Sequence, residues 1–196
     1  WFMRQAGRYL PEFREIRSKN HNFIKLCLNS ELSSEITLQP IKKFNLDSAI
    51  IFSDILITPY ALGQEVEFIK DQGPKLDEFN IEKFLAVNEV EFIKKLNPVY
   101  KSIEKTRKKL DKNKSLIAFI GAPWTLLVYM LDFKKNKTEI DLNKLIKKNI
   151  RINQILDKLI KFLCVHIKNQ ISAGADVIQI FDSWAGLVPE NNIKDY

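Results

Sequence analysis

The run Ala49-Ile50-Ile51-Phe52-Ser53-Asp54 constrains the fold more than any other stretch, because an unbroken apolar segment ends abruptly in a hydroxyl and a carboxylate. Strand side chains alternate between two faces, so a run without polar residues implies cover on both, as in a parallel sheet flanked by helices. In such sheets ligands sit beyond the carboxyl ends of the strands. Asp54 stands at that end and is followed by the largely apolar Ile-Leu-Ile-Thr-Pro-Tyr-Ala-Leu-Gly. A lone carboxylate there is costly unless a cation or hydrogen-bond donors face it. Asp is also a favoured helix N-cap, and spacing alone favours a cap over a catalyst.

Two further apolar runs repeat the plan. Leu116-Ile117-Ala118-Phe119-Ile120 ends at Gly121-Ala122-Pro123-Trp124-Thr125, where Pro123 opens a helix through Leu126, Leu127, Tyr129 and Met130. A long helix with Ile152, Ile155, Leu159, Leu163 and Ile167 inward then leads, by a turn at Gly174, to Asp176-Val177-Ile178-Gln179-Ile180-Phe181, which ends in Asp182-Ser183-Trp184-Ala185-Gly186. Apolar strands separated by long helices predict a parallel α/β fold with its site at one end. No Gly-rich dinucleotide fingerprint follows any strand, so the repetition points to a (β/α) barrel and not to a doubly wound sheet.

Between these units, the spacing predicts a short amphipathic helix from Pro11, with Phe13 and Ile16 on one side. A second helix is expected to be capped by Ser30, striped by Leu32, Ile36, Ile41 and Phe44, and kinked at Pro40. Alternation from Glu65 to Lys70 before Asp71-Gln72-Gly73-Pro74 predicts a half-exposed hairpin arm. Residues 81–96 read as helical, with another helix starting at Pro98. At the other end of the chain, Arg4 and Arg8 flank Gly7 in Trp1-Phe2-Met3-Arg4-Gln5-Ala6-Gly7-Arg8-Tyr9-Leu10-Pro11. Two planar forks of donors beside a flexible backbone suit a carboxylate clamp, although solvated arginines in a surface loop have the same pattern.

Composition bounds the function classes. A chain of 196 residues, 45% hydrophobic, can bury a core, and one domain is the simplest count. Lys and Arg outnumber Asp and Glu by 31 to 24, a net charge of +7, which favours an anionic partner. Runs such as Lys134-Lys135-Asn136-Lys137 read as solvated faces. Cys27 and Cys164 have neither metal-ligand spacing nor a paired framework, so a reducing, cytoplasmic location is the default. His21 and His166 are isolated, and His166 reads as a packing residue. No apolar run reaches the length of a membrane span.

These blocks together resemble the uroporphyrinogen decarboxylase family nearly end to end. The resemblance rests on residues 1–13, on Leu38-Gln39-Pro40, on Ile51-Phe52-Ser53-Asp54-Ile55-Leu56 with Ala61-Leu62-Gly63, on Gly121-Ala122-Pro123-Trp124-Thr125 and on Phe181-Asp182-Ser183-Trp184-Ala185-Gly186. The first block, with two arginines, a glycine and aromatics in fixed order, is highly specific. The resemblance implies that Arg4, Gln5, Ala6, Gly7 and Arg8 line the pocket and that Arg4 and Arg8 hold substrate carboxylates. It implies that Asp54 is the central acid beneath a macrocycle, that Tyr129 and Ser183 contact acetate or propionate arms, and that Arg17 lies nearby. Asp54, Arg4 and Tyr129 are then the catalytic candidates. The implied reaction converts the four acetate arms of a cyclic tetrapyrrole to methyl groups without metal or organic cofactor, in an enzyme similar to homodimers of this family. Arg4, Asp54 and a bound water remain open as proton donor. The family's glycine-rich stretch after the tyrosine helix is replaced here by residues 132–137, and no residue of this chain matches the family's histidine near the C-terminus.

Two other readings compete. A corrinoid methyltransferase of related barrel architecture needs thiol and imidazole zinc ligands, a spacing Cys27 and Cys164 do not offer. A nucleic-acid-binding protein would interleave aromatic and basic residues on one strand, which this chain does not. Neither a nucleic-acid partner nor a membrane is therefore expected. The chain begins at Trp1 and carries three core strands where a (β/α)8 barrel closes with eight, so residues 1–196 read as a single incomplete barrel domain, truncated after the third strand. An open half-barrel exposes an apolar face and an unpaired edge, and the segment expressed alone is expected to be poorly soluble or molten, and inactive.

Overall fold

The computed structural model describes residues 9–69, 72–133 and 151–194. Three strands, β1 (Ser48–Ile50), β4 (Ser115–Gly121) and β5 (Val177–Phe181), form a parallel sheet in the order β1-β4-β5. The order follows the chain, with helices in each crossover. Between β1 and β4 come α4 (Ile57–Ala61), the antiparallel hairpin β2 (Val66–Ile69) and β3 (Gly73–Leu76), then α5 (Ile81–Ala86) and α6 (Glu89–Lys109). α7 (Pro123–Met130) and α8 (Ile152–Ser172) lie between β4 and β5. Before the sheet come α1 (Pro11–Lys19), α2 (Phe23–Cys27) and α3 (Ser30–Phe44). The α/β class, the parallel sheet and the hairpin arm match the sequence-based expectation.

Asparagine starts four of the helices. The side chains of Asn22, Asn29, Asn80 and Asn88 accept main-chain N–H groups at the starts of α2, α3, α5 and α6, and Asn88 and Glu91 form a reciprocal capping box. Each such cap contributes about 1 kcal/mol. The cap of α3 is thus Asn29, not Ser30, because the Asn29 carboxamide reaches the N–H groups of both Glu31 and Leu32 at 3.1 Å. Within α3, Ile36 and Ile41 are buried as expected, whereas Phe44 is 39% exposed at the helix end.

The helical stretch from residue 81 divides differently from its sequence pattern. Lys158 donates from Nζ to the carbonyls of Leu85 and Val87, both at 2.7 Å, while lying over the rings of Phe84 and Phe162. That cation takes the last carbonyls of α5, and the Asn88 box restarts the chain as α6. α6 then runs unbroken through Pro98. Pro98 lies on a partly exposed flank and the residue four before it, Lys94, is exposed, so the carbonyl that loses its partner faces water.

The core lies between the sheet and helices α3, α6 and α8, with Phe92, Leu96, Ile103, Leu116, Ala118 and Ile155 fully buried. Hydroxyls stitch α3 to α6: Ser33 Oγ pairs with Ser102 Oγ, and Thr106 Oγ1 pairs with Ser34 Oγ, each at 3.0 Å. The opposite face of the sheet is less covered than the sequence implies: Ile117 and Phe119 are half-buried, and Val177 and Phe181, in register with that face, are 46% and 41% exposed. Ile180, beside Ile120 on the core face, is also 52% exposed. These exposures follow from position, since among the described residues β5 is an edge strand. At the amino end of the sheet, Arg107 donates to Asp176 at 2.8 Å and to the carbonyls of Leu110, Asp111 and Lys114. Asp176 in turn accepts the N–H of Leu116, so the charges there hold strand to helix.

His166 is a packing residue, as its sequence context predicts. It is buried on α8, its ring meets Phe92 edge-on, and Nδ1 pairs with the Tyr100 hydroxyl at 3.0 Å. Burial raises the Tyr100 pKa, so the phenol stays protonated and donates, which places the neutral imidazole's proton on Nε2. Burial also pushes the His166 pKa from 6.5 down to about 3. The unfolded chain therefore binds a proton that the folded chain refuses, and stability falls as pH drops below 6.5 toward 3. This residue alone is expected to remove about 2 kcal/mol between pH 6.5 and about pH 5. Urea melts of wild type and His166→Gln across that window check it: the variant's stability should fall less steeply, and parallel curves would contradict the assignment.

Candidate active site

The carboxyl ends of β1, β4 and β5 lead into the segments that hold the candidate residues Asp54, Tyr129 and Ser183, and the backbone there is fixed by side chains. β1 leaves its ladder after Ile51 N–H bonds to Ile117 O at 2.9 Å. The next residue, Phe52, has both main-chain groups satisfied by α3: its N–H donates to Thr37 Oγ1 at 2.8 Å, and its carbonyl accepts from Ser33 Oγ at 2.6 Å. Ser33 and Thr37 are buried, so the chain two residues before Asp54 is held at both of its polar atoms. Asp54 Oδ1 accepts the Leu56 N–H at 2.8 Å, which fixes the carboxylate's direction. Asp54 is not the N-cap of α4, whose cap position is Leu56 without a side-chain bond.

Asp54 opens into a groove of about 930 Å³ between α1, the hairpin and the end of β1. Phe13, Arg14, Arg17, His21 and Phe68 are among its walls. Arg17 thus shares the groove with Asp54. Its guanidinium lies over Phe23, with Nη1 donating to the carbonyls of Asn20 and His21. Cys27, also behind this region, is fully buried, and burial followed by the negative charge of Asp54 holds its pKa well above the ordinary thiol range. It is therefore a thiol and not a nucleophile.

Tyr129 and Ser183 follow β4 and β5 and are not walls of that groove. Tyr129 sits in the last turn of α7 with its ring edge-on to Trp184, centroids 6.0 Å apart. Ser183 is exposed directly after β5. Gly121 joins the β1 and β4 ends closely: a Cβ there would lie 2.7 Å from Leu126 Cδ2 and 3.1 Å from Ile55 Cβ, so any side chain would push on the residue next to Asp54. Arg4, Gln5, Ala6, Gly7 and Arg8 lie outside the described residues.

Sequence reasoning missed the groove walls Arg14 and His21 and the hydroxyls of Ser33, Thr37 and Thr125 that hold the site's backbone. One signal existed: Ser33 and Thr37 fall in the inward stripe of α3 with Ile36 and Ile41, where a polar side chain needs a partner. Among the described residues no cluster of three or more His, Cys, Asp or Glu side chains is arranged to hold a metal ion, and no helix is long and apolar enough to cross a membrane.

Comparison with known proteins gives two kinds of likeness. The chain is 45% identical to a uroporphyrinogen decarboxylase of Rickettsia bellii and 44% identical to one of Orientia tsutsugamushi, in both cases over all of this chain. It spans 58% and 57% of those relatives' lengths. In three dimensions it is similar to a methyltransferase from Methanosarcina mazei, with a TM-score of 0.72 over 93% of this chain and 55% of that one, at 19% identity, a likeness of fold alone. The sequence model of the uroporphyrinogen decarboxylase family matches residues 1–196, so the chain belongs to that family.

Proposed function

We propose that this chain supplies the substrate-facing part of an enzyme that decarboxylates the four acetate side chains of uroporphyrinogen to give coproporphyrinogen, in porphyrin and haem biosynthesis. The observation that carries the reading is the placement of Asp54, in a member of this family, at the carboxyl end of β1 and in a groove walled by arginine and aromatic side chains. In each cycle a proton adds to a pyrrole ring carbon and makes the ring cationic. The bond between the acetate methylene and its carboxylate breaks, carbon dioxide leaves, and the electron pair quenches the cation as an exocyclic double bond. Protonation of the methylene carbon gives the methyl group, and loss of the ring proton restores the pyrrole. The net change is one proton consumed and one carbon dioxide released.

Each residue's role follows from that charge flow. Asp54, oriented by the Leu56 amide, accepts hydrogen bonds from pyrrole N–H groups and stabilises the ring cation as it forms, an electrostatic contribution available before the reaction begins. Arg4 and Arg8 bind the substrate's carboxylates through forked donors, and Arg17 lies near the pocket as a wall of the groove. Gln5, Ala6 and Gly7 line the pocket between them. Tyr129 and Ser183 hold acetate or propionate arms at the ends of β4 and β5. The reaction as written needs no metal or organic cofactor. The parallel sheet is one arc of a (β/α)8 barrel, a reading supported by its chain-order strands, its half-covered inner face and the exposed edge of β5. A cytoplasmic homodimer with no nucleic-acid or membrane partner belongs to the same reading. An anaerobic assay tests it, using reduced uroporphyrinogen and the protein at its relatives' full length. The expected product has four carboxylates where the substrate had eight, and an unchanged substrate would overturn the proposal.

A further inference from the structure

Beyond these contacts, the ends of β4 and β5 are joined by a hydroxyl whose two bonds bracket a single residue. Thr125 is fully buried in the first turn of α7. Its Oγ1 donates to Asp182 Oδ1 at 2.7 Å and accepts the N–H of Trp184 at 3.0 Å. Asp182 and Trp184 are the two neighbours of Ser183. The same junction is closed by Ala122 N–H to Phe181 O at 2.8 Å and by Trp124 Nε1 to Trp184 O at 3.1 Å. Trp184, held in this way at both main-chain polar groups, presents its ring to Tyr129. One buried hydroxyl therefore fixes the loop that carries Ser183 and the indole against which Tyr129 rests.

We propose that Thr125 is a positioning residue for substrate binding, acting through Asp182 and Trp184 to set Ser183 and Tyr129 relative to the arms they hold. It does not touch substrate. The inference rests on the decarboxylase reading, in which Ser183 and Tyr129 contact carboxylate arms. A threonine hydroxyl has one donor and two acceptor sites, so a single side chain serves both neighbours of Ser183, and valine, of nearly the same shape, serves neither. The loop would keep its chain path through the Ala122 and Trp124 bonds but lose the constraint nearest to Ser183.

Steady-state kinetics on the protein at its relatives' full length test this. Thr125→Val is expected to raise KM about tenfold with kcat changed less than about threefold, the pattern of lost binding common to ground and transition states. Thr125→Ser, which keeps the hydroxyl, and Asp182→Asn, which keeps the acceptor oxygen, are expected to restore KM to within about threefold of wild type. Asp182→Ala, at an exposed position, removes one of the two bonds and should raise KM in the same direction by a smaller factor, even if burial makes Thr125→Val unstable. The decisive comparison uses Ser183→Ala as background: Thr125→Val should then add clearly less than it does alone, because the part exerted through Ser183 is already lost and only the part exerted through Tyr129 remains. An undiminished effect on that background, or a wild-type KM in Thr125→Val or Asp182→Ala, would overturn the positioning role while leaving the decarboxylase reading intact. A wild-type KM in Ser183→Ala would remove Ser183 from the site, and this proposal with it, whereas absence of turnover in the unmutated protein would defeat the underlying reading.

Discussion

Asp54→Asn is expected to leave the fold in place and to lower kcat by about a hundredfold or more, the usual cost of removing one preorganised electrostatic group. The structure gives the reason for both halves of that outcome. An asparagine Oδ1 can still accept the Leu56 N–H, and the preceding Phe52 is held by Ser33 and Thr37, so the turn does not depend on the charge. What is lost, on the proposed mechanism, is the negative charge facing a ring that becomes cationic. Turnover under anaerobic conditions and the thermal melting temperature, measured on the same preparations, separate the two effects. Near-normal turnover would remove the electrostatic role, and a collapsed melting transition would show that the carboxylate serves the fold.

Arg4→Ala or Arg8→Ala is expected to reduce kcat/KM by at least about tenfold, about 1.4 kcal/mol each, with little change in melting temperature. The proposed substrate carries eight carboxylates, and holding it in one orientation calls for cations that pair with them in fixed geometry. Charge elsewhere in the chain is committed differently. Arg107 is bound to Asp176 and three carbonyls, and Lys158 to two carbonyls, so these cations hold helices and strands together. Loss of the folded state in either arginine variant would assign Arg4 and Arg8 to that second kind.

The strands were legible because they are coded by uninterrupted apolar runs, and the ends of those runs placed Asp54 and Ser183 correctly at the carboxyl side of the sheet. Helix boundaries were less so. Ser30 and Asn29 are both good caps, and only the geometry of the turn shows which oxygen reaches Glu31 and Leu32. Pro98 looked like a helix start because proline favours the first turn, yet the capping box at Asn88 had already set the helix and the flank of Pro98 tolerates a solvated carbonyl. The break at Val87 has a local half, the Asn88–Glu91 capping box, and a distant half, Lys158, which takes the Val87 carbonyl from 71 residues away. The Thr125 junction is of the same kind: Thr125 and Asp182 look unremarkable until β4 and β5 are paired in register, which brings Gly121 opposite Phe181 and the two loops together. Exposure of Val177, Ile180 and Phe181 also departs from the run's apolar character, since burial is decided by neighbours and not by the strand itself.

The central claim is that the carboxylate of Asp54 lies under the macrocycle in the groove beside α1. A crystal structure of the protein at its relatives' full length with coproporphyrinogen bound tests that claim most directly. The account predicts Asp54 oxygens within hydrogen-bond distance, about 3 Å, of the pyrrole nitrogens, with Arg4 and Arg8 on carboxylate arms. A macrocycle seated elsewhere, or one whose nitrogens face a different acid, would contradict it.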